Sequence, residues 1–139
     1  MLTMEEMAKG RTLAEEQGMT AEMGEAIVRI AGAELEAGRL DAARTILEGL
    51  AVTNPHDPAA WAMLSQVLRR QRKMLGARIC AEAAVRLAPG EEQVRLVRAE
   101  ALLGNPEETS EARAELASLA GAEGRVGERA RALLGALGA

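Results

Sequence analysis

The chain has 139 residues, 48% of them apolar and 27% charged, and a net charge of −4. That balance is expected of one soluble globular domain, and it offers no basic footprint for nucleic acid or an anionic membrane surface. One cysteine excludes an internal disulfide framework, and no run approaches 18 consecutive apolar residues, so no inserted membrane helix is expected.

Phe and Tyr are absent and β-branched runs are rare, while Ala, Leu, Glu and Arg dominate. Strands are poorly supported and helix is favoured throughout, so the fold class is all-α. The chain opens on Glu5 and Glu6 with no basic stretch leading into an apolar core, which argues against a secretory signal and for a cytoplasmic protein. The stretch "MEEMAKGRTLAEEQGMTAEMGEAIVRIAG" predicts a short helix to about Gln17, a turn at Gly18 and Thr20 as the cap of the next helix. Five of the seven methionines precede residue 24, and adaptable packing is the expected reason. Residues 1–20 are set apart as an N-terminal helical segment serving homodimerisation, and residues 21–139 as the main domain.

A repeat follows. "AARTILEGLAVTNP" closes on Pro55 and "ARICAEAAVRLAP" closes on Pro89, 34 residues further on. That is the period of the tetratricopeptide repeat, a helical hairpin with small residues where its helices touch. The second copy reads Trp61, Leu64, Ser65, Leu68, Ala77, Ala81, Ala84, Pro89, and the first Ile27, Ile30, Ala31, Gly38, Ala43, Leu47, Leu50, Pro55. Asp57–Pro58 has the N-cap and N1 chemistry of a helix start. A third copy supplies Ala99, Leu102, Ala112, Leu116 and Leu119, with a turn one residue longer and Asn105–Pro106 opening its second helix. Val126, Ala130, Leu133 and Leu137 then recur at helical spacing, as in a helix that covers the open end of a stack. The expected architecture is a superhelix of about three hairpins (24–57, 58–91, 92–124) with an N-terminal helix and a capping helix at 125–137.

Residues that could carry chemistry are few. His56 stands alone in the Pro55–Pro58 turn, without the partners a zinc site needs. Cys80 lies among apolar neighbours in "ARICAEAAV" and reads as a small buried hydrophobe. Ser65 and Ser110 lack a base at a suggestive spacing, and no glycine-rich phosphate loop is present. The basic run Arg69–Lys73 suits a helix C-terminus, where cations complement the dipole, and it lacks the interleaved aromatics of a nucleic-acid surface. An acidic or carbonyl-rich peptide is the ligand Arg69 would suit. No enzyme activity, cofactor or metal is expected; a stack of helices with a concave face is a surface for holding a peptide.

The order of these elements resembles the class II chaperones of bacterial type III secretion, of the LcrH/SycD type. The resemblance rests on Lys9–Gly10 and Thr12–Leu13 before the repeats, Gly38–Arg39 at the first hairpin turn, "RAEALL" opening the third repeat, and the final helix. It implies a chaperone that covers hydrophobic translocator proteins before secretion, holding an extended segment with small apolar anchors in a concave groove. Mapped through the repeat, the groove positions it implies are Val28, Gly32 and Leu35, then Ala62, Gln66 and Arg69, then Leu96, Glu100 and Leu103. Rings expected at several of these positions are missing, so wider and shallower pockets are implied. The alternatives are a tetratricopeptide adaptor in another assembly and a needle-subunit type secretion chaperone.

Overall fold

The computed structural model describes residues 3–5, 18 and 20–138. Its elements are α1 (Ala21–Glu36), α2 (Leu40–Thr53), α3 (Pro58–Arg70), α4 (Met74–Leu87), α5 (Glu92–Leu102), a 3₁₀ turn (Pro106–Glu108), α6 (Thr109–Leu119) and α7 (Gly124–Ala136). There is no strand among the described residues, and the predicted helix up to Gln17 falls almost wholly outside them.

The helix starts follow the sequence signals. Thr20 Oγ1 accepts from the Met23 amide at 3.1 Å, and Asp57 Oδ1 from the Ala59 amide at 2.9 Å with Pro58 in the first turn. Asn105 caps in the same way, but what it starts is the 3₁₀ turn, which then runs into α6. That turn absorbs the extra residue of the third repeat. Its core positions Ala112, Leu116 and Leu119 are buried one residue later than the 34-residue spacing from Ala77, Ala81 and Ala84 would place them.

The first two hairpins turn by one device. After α1 the Arg39 amide bonds Glu34 O and the Gly38 amide bonds Leu35 O; after α3 the Lys73 amide bonds Leu68 O and the Arg72 amide bonds Arg69 O. These are Schellman motifs, which need a left-handed residue just past the helix. Gly38 supplies it at φ +79°, and Arg72, 34 residues later, at φ +62°.

The helices α1, α3 and α5 lie side by side, joined at the end by α7, while α2, α4 and α6 form a second layer. Alanines 31, 43, 77, 81, 84, 99 and 112 are fully buried between them, which lets the backbones approach closely. The core comes in three groups: the first two are shared by neighbouring hairpins, as in other stacked repeats, and the third by the last hairpin and α7. Trp61 is half-buried between the first two groups, and its Nε1 donates to Pro55 O at 2.8 Å. It ties α3 back to the turn before it.

An ion network centred on Arg98 of α5 joins the later hairpins. Arg98 Nε reaches Glu82 at 2.7 Å and its Nη2 reaches Glu111 at 3.0 Å, while Arg78 bonds both Glu82 (2.9 Å) and Glu108. Burial pushes the Glu82 carboxyl up, but the hydrogen bonds from Arg98 and Arg78 outweigh it and hold the group below the usual range. The hydrogen bond from Arg78 likewise lowers Glu108.

Candidate peptide groove

The nine groove positions fall on α1, α3 and α5, including Leu103 at the C-cap of α5. Four of them meet in one cavity. Gln66, Arg69, Leu96 and Glu100 line a space of about 370 Å³ together with Glu36, Arg70, Gln93, Arg125 and Arg129. Ala62 and Gln66 line a smaller pocket of about 110 Å³ beside it, with Ala59, Met63, Glu91, Gln93, Val94 and Val97. Gln66 and Gln93 belong to both.

The remaining positions divide. Val28 is half-buried on α1, and Gly32 leaves room for the Met63 thioether, whose methyl carbon sits 3.5 Å from where a Cβ would stand. Leu35 is only 5% exposed and packs in the first core group with Ala31, Leu47 and Leu64. Leu103 packs against the third group, beside Val126 and Leu133 of α7, and lines neither cavity. The larger apolar side chains of the predicted set therefore go mainly into the stack. Ala62 is 6% exposed and touches the second core group, so a charged side chain there would be forced against Ala81, Val94 and Val97 and could not simply stay in water.

Electrostatics mark the larger cavity. Four arginines face two glutamates, a local excess of positive charge on a chain that is negative overall. Glu100 is 6% exposed; Arg129 Nε and Nη2 both reach its Oε1 at 2.8 Å, and Arg69 Nη2 stands 3.8 Å away. Arg70 Nη1 donates to Leu35 O at the end of α1 at 3.3 Å. Arg125 is exposed and makes no hydrogen bond or ion pair among the described residues. Sequence reasoning anticipated neither Arg125 nor Arg129. Their signal in the sequence is spacing alone: they stand four residues apart on α7, on one face of its first two turns.

Two of the residues weighed for chemistry, Ser65 and Cys80, are buried in the packing. Ser65 is buried and donates to Ala77 O at 2.7 Å, pinning α3 to α4. Burial, with a smaller contribution from Glu48, pushes the Cys80 thiol up to about 11, far from the thiolate a nucleophile needs. His56 is exposed in its turn. Among the described residues no group of three His, Cys, Asp or Glu could hold a metal, and no helix is long and apolar enough to cross a membrane.

A tetratricopeptide repeat family model matches residues 11–67. No curated protein sequence matches the chain. Among solved structures, the Yersinia enterocolitica type III secretion translocator chaperone SycD is 19% identical, with a TM-score of 0.75 over 91% of this chain and 98% of that one. PcrH, known from Pseudomonas aeruginosa, in complex with the chaperone binding region of PopD is 21% identical, with a TM-score of 0.65 over 86% and 93%. The first tetratricopeptide domain of Spaghetti, bound to an HSP90 peptide ending in EEVD, is 16% identical, with a TM-score of 0.67 over 86% and 97%. The fold is thus the tetratricopeptide superhelix.

Proposed function

We propose that this chain is a cytoplasmic secretion chaperone without catalytic activity, one that holds an extended, partly apolar segment of a translocator protein along α1, α3 and α5. The observation that carries the reading is the two-part surface on these helices. An apolar pocket whose floor is the core residues Ala62, Val94 and Val97, with Met63 at its side, adjoins a polar cavity lined by Gln66, Arg69, Arg70, Arg125 and Arg129. Its agreement in fold with a translocator chaperone from end to end supports the same reading. The physics is consistent: a protein destined to enter a bilayer exposes apolar segments in water, and these aggregate unless covered.

The test is co-expression with a hydrophobic membrane-inserting protein encoded beside it, followed by purification on a tag carried by this chain. A stoichiometric soluble complex is expected. Recovery of soluble partners only, with the hydrophobic protein left in inclusion bodies, would refute the reading. A second reading, an adaptor that holds polar acidic peptide tails, is favoured by the arginines of the larger cavity alone. Self-association is assigned to residues 1–20, most of which lie outside the described residues; a truncation starting at Thr20 should be monomeric by light scattering.

A further inference from the structure

The two cavities on the first-helix face share Gln66 and Gln93, yet their chemistries differ. One is lined by Ala59, Ala62, Met63, Val94 and Val97, and its volume is about that of one aliphatic side chain. The other has four guanidinium groups, of which Arg129 is committed to Glu100 at 2.8 Å and Arg69 lies 3.8 Å from the same carboxylate. Arg70 spends one donor on Leu35 O, and Arg125 spends none among the described residues. Guanidinium donors left facing a water-filled space are matched best by a carboxylate, which can take two of them at once.

We propose that the segment held on this face carries an acidic residue two positions from an aliphatic one, the carboxylate entering the arginine cavity and the aliphatic side chain the adjoining pocket. This rests on the chaperone reading above and adds to it the chemistry of the client. In an extended segment, side chains two residues apart point the same way and lie roughly 6.6 Å apart, a span suited to two cavities with common walls. Charge also favours the acid in the larger cavity: Glu91 stands on the rim of the apolar pocket and repels an acid there, while in the other cavity four arginines outnumber Glu36 and Glu100 and Arg125 of α7 is left to attract one.

The test uses the full chain and a phage-displayed library of random peptides. Enriched sequences are expected to pair Asp or Glu with Val, Leu, Ile or Pro two positions away. The strongest peptide is then measured by fluorescence anisotropy against the wild type and Arg125→Gln, together with its own acid-to-amide version. Each single change should weaken binding about 10-fold, as expected for loss of a charge-assisted contact, and the two changes together should cost little more than one. Arg125→Lys should recover most of the loss, and a thermal melt checks that the variants fold. Affinity should also fall as salt rises, because the cavity is open to water. Enrichment of apolar peptides with no acidic preference, or losses that simply add, would overturn this inference and leave the chaperone reading standing. Acidic peptides with no aliphatic position would overturn the inference and favour the adaptor, and no enrichment at all would count against both.

Discussion

Removing Arg129 tests whether the charge cluster at Glu100 is a buried interaction or a solvated surface pair. The carboxylate is 6% exposed and takes two donors from Arg129 at 2.8 Å, whereas its one other cation among the described residues, Arg69, is 3.8 Å away. Arg129→Ala therefore strands a desolvated charge with one distant partner. Breaking a fully buried pair in this way costs about 3–5 kcal/mol. Arg129 itself is half exposed, so water screens the pair and relaxes around the stranded carboxylate, and the expected loss is smaller, about 1–3 kcal/mol. For a domain of this size that corresponds to a melting temperature lower by roughly 4–10 °C. Glu100→Leu provides the comparison. The same repeat position is Gly32 in the first hairpin and Gln66 in the second, so the fold does not require a charge there. In the Glu100→Leu background, Arg129→Ala should cost less than about 0.5 kcal/mol, giving a coupling close to the whole single-mutant effect. The assay is urea unfolding followed by circular dichroism on all four proteins of the cycle. A coupling indistinguishable from zero would show that Glu100 is solvated and that the cavity is not organised around it.

Three further outcomes are expected. Arg72→Gly should stabilise the protein by about 0.5–1 kcal/mol in the same unfolding assay, because Arg72 holds the left-handed position that Gly38 fills in the first hairpin; a destabilisation would mean that its side chain contributes more than its backbone costs. Gly127→Ala should unseat α7, since a Cβ there would lie 1.7 Å from the Ala122 carbonyl oxygen; about 2 kcal/mol or more should be lost, with faster amide exchange across α6 and α7, and unchanged exchange would refute the packing. Stability should hold from neutral pH to about 5 and fall below about 4. Glu82 and Glu108 have depressed values in the folded state, so their contribution is complete above the unfolded carboxylate value near 4.3 and is lost as pH falls through the folded one. Glu82→Gln should flatten that acid limb, and an unchanged limb would place the acid sensitivity elsewhere.

Those features that depend on neighbours in the chain were legible in the sequence. Thr20, Asp57 and Asn105 cap within three residues of themselves, and alanines spaced along one helix face declare where two helices touch. The 34-residue interval between Pro55 and Pro89 then fixes how the hairpins stack, because each buries the next by the same contacts. The third hairpin was legible only in part. Its longer turn could be counted, but that a 3₁₀ segment absorbs the extra residue depends on how α6 must sit against α5 to bury Leu116 and Leu119.

The site was less legible, and the reason is geometric. Repeat arithmetic assigns a position to a face but cannot say how much of that face its neighbours cover. Val28, Ala62 and Leu96 are equivalent by the 34-residue spacing, yet one is half-buried on the first helix of the stack while the other two are almost wholly enclosed. Leu103 is equivalent to Arg69 by the same rule, but it packs, half-buried, against the core group that α7 shares and does not line the cavity. The capping helix thus does two things that no periodicity records. It seals the last apolar surface with Val126, Ala130 and Leu133, and it brings Arg125 and Arg129 to the edge of the groove. On a chain that is acidic overall, a locally cationic cavity begun by Arg69 and Arg70 of α3 is completed by α7, which lies outside the three hairpins. If that helix is loosened, as by Gly127→Ala, the fold of the first two hairpins should persist while the arginine cavity loses one wall, so affinity for an acidic peptide should fall further than global stability does.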